Sequence, residues 1–311
     1  MTHNPIHLAS MAETRSRARG ALIGLAIGDA VGTTLEFTAR DSQPPLTDMI
    51  GGGPFGLPAG YWTDDTSMAL ALAESLAEHG GLVPHDLMQR FCAWWRRGEY
   101  SPTGDCFDIG HATASALARF EETGDPMAGS MHEYSADNGS LMRLSPIAIR
   151  GVRIGMDKMR EEAREQSATT HAAVACLDAC EAWAVVLQTV IKGSELDHAV
   201  SLAEELGHGD PIECILAGSW REKSRNQISS SGYVAHSLEA ALWCNAEGSD
   251  FREIILLAAN LGADADTVAA IAGQLAGARF GVEAIPAEWR AKVAWHDRLI
   301  SAADALLTGS D

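Results

Sequence analysis

Apolar residues recur at helical spacing along most of this 311-residue chain. Between residues 12 and 31, Ala18, Ala21, Leu22, Leu25 and Ala26 repeat at intervals of three and four, the spacing that places side chains on one face of a helix. Several of these residues are small. The pattern therefore predicts a helix with a face suited to close packing.

Further segments continue the same pattern, and polar or glycine-containing loops separate them. Strand and helix patterns do not alternate, and no repeat of fixed length is present. We therefore predict a single all-α domain over residues 14–311, preceded by a disordered leader over residues 1–13. The predicted helical segments are 68–77, 85–95, 108–120, 144–149, 158–170, 171–191, 234–243, 251–260, 268–278 and 289–307.

Composition narrows the choice of function. Apolar residues make up 46% of the chain, and the net charge of −19 argues against binding of nucleic acid through phosphate neutralisation. The six cysteines include no Cys-x-x-Cys pair, which indicates reduced thiols. The polar N-terminus does not resemble a signal peptide, and no later stretch is expected to span a membrane. These features predict a cytoplasmic monomer.

Two acidic motifs stand where a loop gives way to an Ala-rich helix. They are Thr63-Asp64-Asp65-Thr66 and Asp264-Ala265-Asp266-Thr267. Oxygen ligands of this kind suit Mg²⁺ or Mn²⁺, and the four carboxylates would serve two such ions. The alternative is that these residues only cap helices, a role that Asp and Thr often have. We expect the two motifs to lie close together, although about two hundred residues separate them.

Other catalytic signatures are missing. The sequence has no His-Glu-x-x-His motif and no paired cysteines, which argues against zinc. The glycine-rich run 51–56 lacks the Lys-Ser/Thr pair of a phosphate-binding P-loop. Asp108 and His171 stand near predicted helix starts, where a structural role is as reasonable as a functional one.

The order of these motifs resembles that of the ADP-ribosylglycohydrolase family, especially its bacterial dinitrogenase reductase-activating and ADP-ribosylarginine hydrolase members. The resemblance runs from about Arg19 to Trp289. Beside the two acidic motifs, it rests on the segment from Gly24 to Gly32, Glu36, the glycine-rich run, Asp108-Ile109-Gly110, and Asn138-Gly139-Ser140-Leu141-Met142-Arg143.

The resemblance implies an all-α enzyme that carries two Mg²⁺ or Mn²⁺ ions and releases ADP-ribose from an ADP-ribosylated protein. Glu36, on a mobile acidic flap, and Asp108 are implied as the general acid and base. The implied metal ligands are Thr63, Asp64, Asp65, Asp264, Asp266 and Thr267. The implied substrate-binding residues are Gly52, Gly53, Phe55, Gly110, Asn138, Gly139, Ser140, Met142, His171 and Tyr233, the last as an aromatic that stacks on adenine.

ADP-ribosyl-arginine is the expected substrate. Hydrolysis of another linkage, to serine, threonine, a nucleobase or a small conjugate, and an ADP-ribose-binding protein with weak catalysis are the alternatives. Two positions depart from the family pattern: Ala263 replaces the usual Gly or Asp, and His111 stands where Asn is frequent. Neither departure removes a ligand, so both bear on substrate preference more than on catalysis.

Overall fold

The computed structural model describes residues 9–309, which form fourteen α-helices. Within this range the chain forms no β-strand, so the predicted all-α fold is confirmed. The helices are α1 (Met11–Gly32), α2 (Asp64–His79), α3 (Pro84–Arg97), α4 (His111–Thr123), α5 (Ser145–Ile154), α6 (Met156–Ala168), α7 (Val174–Ile191), α8 (Leu196–Glu204), α9 (Ile212–Leu216), α10 (Val234–Glu247), α11 (Phe251–Ala259), α12 (Ala265–Phe280), α13 (Ala287–Lys292) and α14 (His296–Thr308).

Helices α1 and α12 pack directly against each other through glycine. A Cβ atom added to Gly24 would lie 2.2 Å from the carbonyl oxygen of Gly273, and one added to Gly28 would lie 2.0 Å from that of Ala269. The same relation joins Gly20 to Gly277 and Gly32 to Ala265, so the helices run antiparallel with a contact every fourth residue. This register brings the C-terminal end of α1 to the start of α12.

The N-terminal boundary lies earlier than the sequence analysis predicted. Helix α1 begins at Met11, inside the range expected to be a disordered leader. Ser10 and Glu13 form a reciprocal capping box there, because each side chain accepts a hydrogen bond from the other residue's backbone N–H. The rest of the predicted leader, residues 1–8, lies outside the described residues.

Helix α7 is the most apolar helix and runs through the core. It is long and apolar enough to cross a membrane, contrary to the expectation from the sequence, but 83% of it is buried inside the fold. Its apolar side chains are therefore already covered by other helices. All six cysteines are free, as the absence of paired spacing predicted.

Candidate active site

The starts of α2 and α12 meet at a cavity of about 670 Å³. Residues from the loops before α4, α5 and α10 complete its wall. Most of the residues expected to bind metal or substrate lie here. The lining comprises Glu36, Phe37, Asp64, Asp108, Ile109, Gly110, Ala112, Thr113, Asp137, Asn138, Gly139, Met142, His171, Ser231, Gly232, Ala263, Asp264, Asp266 and Thr267.

Asp29 caps helix α2 from outside that helix. Its Oδ1 accepts hydrogen bonds from the backbone N–H and the hydroxyl of Thr63, both at 2.9 Å. Its Oδ2 accepts from the backbone N–H of Thr66 at 3.0 Å and from the Thr66 hydroxyl at 2.7 Å. Asp64 and Asp65 are thereby relieved of the capping role that was their alternative interpretation.

Glu36 caps the start of helix α12 in the same way, from outside that helix. The Oε2 atom of Glu36 accepts from the backbone N–H of Ala265 at 2.7 Å and of Asp266 at 3.3 Å. Asp264 occupies the N-cap position, but its side chain makes no capping hydrogen bond. Because Asp29 lies near the end of α1 and Glu36 follows the 3₁₀ turn Thr33–Leu35, the antiparallel packing of α1 and α12 places both caps.

The hydroxyl of Thr63 connects the two acidic motifs. Its oxygen lies 2.9 Å from Asp29 Oδ1 and 3.3 Å from both Asp65 Oδ2 and Asp266 Oδ2. A hydroxyl has one proton, and the shortest contact is to Asp29. The lone pairs of Thr63 therefore face two carboxylate oxygens, an arrangement that a cation between them would stabilise. Across the same space, Thr267 Oγ1 lies 3.4 Å from Asp65 Oδ2.

The cavity floor concentrates negative charge in a buried place. Burial, followed by the charge of Asp266, raises the pKa of Asp264 to about 7, and burial raises the pKa of Asp266 to about 7. The pKa values of Asp64 and Asp65 are raised well above their ordinary value, first by burial and then by neighbouring carboxylates. So many carboxylates cannot all be ionised together unless cations offset their charge.

The oxygen atoms present fit divalent cations. Asp65 Oδ1 is buried and has no hydrogen-bond partner in the described structure, so it is available as a ligand. Carboxylate oxygens of Asp29, Asp65 and Asp266 lie within 4.8 Å of one another, as do those of Glu36, Asp264 and Asp266. Four donors already occupy the lone-pair positions of Asp29, which makes it a positioning residue beside the first group.

Three residues that line the cavity have strained backbones. Phe37, Asp108 and Ala263 each have a φ of 58°, in the left-handed region that favours glycine. The backbone N–H of Phe37 donates to the carbonyl of Ala263, and the N–H of Ala263 donates to that of Thr38, both at 2.8 Å. Glycine would relieve this strain at position 263, so Ala263 holds its conformation at a cost.

Asp108 lines the same cavity as Glu36 and does not cap α4. Gly110 is the N-cap residue of that helix. Burial raises the pKa of Asp108 to about 6. Burial and the charge of Asp266 raise the pKa of Glu36 to about 12. Asp108 is half-buried, whereas Glu36 is only 4% exposed and held by backbone donors.

The segment after Glu36 is tied to the body of the protein by Arg40. The Arg40 guanidinium donates to the carbonyl oxygens of Leu261 at 2.9 Å, Arg225 at 2.5 Å and Ile228 at 2.7 Å. These carbonyls belong to the two loops that precede α10 and α12. The flap implied by the resemblance is therefore anchored at Arg40 in this structure.

His171 is a buried imidazole, and one of its two ring nitrogens forms a hydrogen bond within the protein. Its Nδ1 lies 2.8 Å from Thr170 Oγ1, which also accepts from Arg143 Nη2 at 2.9 Å. With Arg143 as its donor, the Thr170 hydroxyl gives its own proton to Nδ1, which leaves the proton of neutral His171 on Nε2. Burial, followed by the charge of Arg143, lowers the pKa of His171 to about 3. His171 thus presents an N–H donor to the cavity.

Several predicted substrate residues lie away from the cavity lining. Gly53 packs against the end of α1, where a Cβ atom would meet the Thr33 carbonyl oxygen at 2.1 Å, and Gly52 pairs with Leu57. Ser140 is buried and accepts from Ser167 at 2.8 Å. Phe55 contacts the lining residue Phe37 from behind, with ring centroids 6.2 Å apart.

Tyr233 lies beside the cavity, at the start of α10. Its ring packs edge-on against His236, with centroids 5.1 Å apart. It lines a neighbouring cavity of about 430 Å³ that shares Asp137 with the main one. The segment 138–140 forms a bend and a turn, and α5 begins at Ser145, where Pro146 favours the first helical turn.

Sequence reasoning missed Asp29 and Phe37 as parts of this site. Asp29 belongs to the motif between Gly24 and Gly32, but nothing in a single sequence says that it caps a helix 34 residues away. Phe37 follows Glu36 directly, and its adjacency to a candidate catalytic carboxylate was the available signal.

The acidic helix starts that converge on one cavity give this helical domain a set of oxygen atoms that could hold divalent cations. The family model described as ADP-ribosylglycohydrolase matches residues 10–311. This chain therefore belongs to the ADP-ribosylglycohydrolase family, as the order of its motifs indicated.

Similar proteins match most of the chain. The ADP-ribosylarginine hydrolase Tri1 of Pseudomonas putida (strain GB-1) is 46% identical over 93% of this chain and 77% of that protein. The ADP-ribosyl-[dinitrogen reductase] glycohydrolase of Rhodospirillum rubrum is 31% identical over 89% of this chain and 90% of that protein. A solved structure named ADP-ribosylglycohydrolase-related protein complex is 38% identical, with a TM-score of 0.85 over 96% of this chain and 99% of that one.

Proposed function

We propose that this protein hydrolyses the N-glycosidic bond between ADP-ribose and an arginine side chain of a modified protein. The observation that carries the proposal is the meeting of two acidic helix starts beside Glu36 and Asp108 in one cavity. Family membership supports the glycohydrolase reaction. Two relatives named ADP-ribosylarginine hydrolase, 46% and 41% identical, support arginine as the linkage.

Two divalent cations, Mg²⁺ or Mn²⁺, would be held by the oxygens of the two acidic motifs. The number two is supported by two clusters of three acidic residues, both of which include Asp266. The residues that would hold the ions are Thr63, Asp64, Asp65, Asp264, Asp266 and Thr267. A bound cation of this kind supplies a Lewis acid that lowers the pKa of water and orients substrate oxygens.

Proton transfer is assigned to Glu36 and Asp108, two carboxyl groups that line the same cavity. Glu36 is held by two backbone N–H groups, so its position is fixed relative to α12. Asp108 is half-buried and lines the same cavity. We therefore assign these two groups to the acid–base step, in which one protonates the departing guanidine nitrogen and the other orients the attacking water.

The negative charge of the pyrophosphate needs donors in a protein with a net charge of −19. Helix α4 begins at the cavity wall, and no side chain caps its start, so its first N–H groups are free to face an anion. His171 adds a neutral N–H donor from Nε2. Together these groups would bind the ADP portion of the substrate at a distance from the acidic floor.

The test is the release of free ADP-ribose from a peptide ADP-ribosylated on arginine, with serine- and threonine-linked peptides in parallel. Wild-type protein with Mn²⁺ should release ADP-ribose from the arginine conjugate. Asp108→Asn should lower kcat by about 10²- to 10⁴-fold while its affinity for ADP-ribose stays close to that of the wild type. Release from the serine or threonine conjugate alone would refute the arginine assignment, and ADP-ribose binding without turnover of any conjugate would refute the hydrolase.

A further inference from the structure

Phe37 combines two features that are unfavourable in an isolated protein. Its side chain is 69% exposed, and its backbone has a φ of 58°. A bulky residue in the left-handed region stores strain, and such strain persists where neighbouring structure enforces it, often in a ligand-binding site. Two backbone hydrogen bonds of 2.8 Å between the Phe37–Thr38 segment and Ala263 enforce it here.

The Phe37 ring is the most exposed of three aromatic rings that contact one another in sequence. Phe37 meets Phe55 edge-on, with centroids 6.2 Å apart, and Phe55 lies 5.1 Å from Phe107. Phe37 follows Glu36 in the chain, and Phe107 precedes Asp108. The three rings, Phe37, Phe55 and Phe107, form an aromatic rim that joins the backbones of both candidate acid and base residues.

A ligand that contacts the aromatic rim also lies near the carboxyl groups of Glu36 and Asp108. Among the three rings, Phe37 lines the cavity together with Glu36 and Asp108. The cavity there therefore combines an exposed aromatic ring with two carboxyl groups. A planar cation satisfies both, because it is attracted to the face of an aromatic ring and to carboxylates. An anion or an aliphatic chain would satisfy only one of them or neither.

We propose that Phe37 forms the leaving-group subsite, where its ring packs against the guanidinium of the modified arginine. The inference rests on the proposed function and adds the part of the site that recognises the amino-acid side of the bond. The rim fixes where the guanidinium lies relative to Glu36 and Asp108. Phe37 is then a specificity-determining residue for arginine over linkages that carry no cation.

The test compares Phe37→Leu with wild type in two measurements. The first is kcat/KM for a peptide ADP-ribosylated on arginine, and the second is the inhibition constant of ADP-ribose, which lacks the guanidinium. Phe37→Leu should lower kcat/KM by about 3- to 30-fold, the range of a cation–π contact, and leave the inhibition constant within about 2-fold. Because Phe37 is exposed, the variant should fold as the wild type does.

Two further variants complete the design. Phe37→Tyr keeps an aromatic face and should restore most of kcat/KM. Met131→Ala removes another exposed hydrophobic side chain, 83% exposed and outside the lining of both cavities, and should leave both constants unchanged. Equal changes in both constants for Phe37→Leu would show that the ring contacts ADP-ribose and would overturn the inference, as would an unchanged kcat/KM. A wild-type protein inactive on the arginine peptide would instead refute the proposed function, and the subsite with it.

Discussion

Replacing Asp29 with asparagine keeps the size of the side chain but changes one accepting oxygen into an N–H₂ donor. Asp29 accepts four hydrogen bonds, two from backbone N–H groups at the start of α2 and two from the hydroxyls of Thr63 and Thr66. Asparagine can accept at one end only. Its amide group then faces a buried backbone N–H that has lost its acceptor, while the neighbouring hydroxyl can turn to accept instead.

The size of the effect depends on whether cations are bound. One unsatisfied buried N–H costs about 1–3 kcal/mol. In the metal-free protein, removal of the Asp29 charge from the acidic floor offsets part of this cost, because burial and Asp266 already raise the Asp29 pKa to about 7. In the metal-bound protein no such relief remains. The stabilisation that Mn²⁺ provides should therefore be smaller in the variant than in the wild type.

Metal affinity should fall as well, by about 10- to 100-fold, the usual effect of losing a group that orients a ligand. Without Asp29 as acceptor, the Thr63 proton can turn toward Asp65 and Asp266, where it would point at the bound cation. Calorimetric titration with Mn²⁺ measures the affinity, and thermal unfolding with Mn²⁺ or EDTA measures the stabilisation. Asp250→Asn is the control, because asparagine serves equally well at that exposed N-cap of α11. An Mn²⁺ affinity within 2-fold of wild type in folded Asp29→Asn would refute the reasoning.

Three other predictions concern stability. Gly28→Ala should lower the free energy of unfolding by about 3 kcal/mol, because the new Cβ would lie 2.0 Å from the Ala269 carbonyl oxygen. In the control Gly81→Ala, the new Cβ would lie 3.5 Å from its nearest neighbour, so the free energy of unfolding should change little. Urea unfolding measures both variants. Ala263→Gly should raise the free energy of unfolding by about 0.5–1 kcal/mol, because glycine adopts a φ of 58° without strain. The control Ala39→Gly should not raise it. A lower melting temperature for Ala263→Gly than for the wild type would contradict this prediction. The raised pKa values of the floor carboxylates mean that, near neutral pH, the metal-free native state binds more protons than the unfolded state. The free energy of unfolding of the metal-free protein should therefore decrease as the pH rises from about 5 to about 8. Mn²⁺ should therefore raise the melting temperature more at about pH 8, and equal shifts at both pH values would count against a charged floor.

The sequence was sufficient for the fold class and for most of the residues at the cavity. Helical periodicity is a local property, so the helices could be predicted from spacing alone. The small residues among positions 18–26 indicated close packing but not the partner helix, and the glycines that make the contact, at positions 20, 24, 28 and 32, became evident only in the structure. Asp64 and Asp65 meet Asp264 and Asp266 because α1 packs antiparallel against α12, and the sequence alone did not identify α12 as the partner of α1.

Other parts of the site depend on contacts that no local pattern encodes. Asp29 caps α2, and Glu36 caps α12, each across a long stretch of sequence. The glycine-rich run was expected to bind substrate, but Gly53 serves the close approach to Thr33. The exposed position of Phe37 follows from a backbone conformation that a bulky residue rarely adopts, so propensity could not predict it. The predicted monomeric state and cytoplasmic location stay predictions.

The most direct measurement is the rate of ADP-ribose release from a peptide ADP-ribosylated on arginine, for wild type and Asp266→Asn, with Mn²⁺ and with EDTA. Asp266 is the carboxylate shared by both groups of candidate ligands. The wild type should turn over with Mn²⁺ and lose activity in EDTA, and Asp266→Asn should be inactive in both conditions while remaining folded. Undiminished release in EDTA, or from Asp266→Asn, would contradict a cation-dependent hydrolase built on the two acidic helix starts.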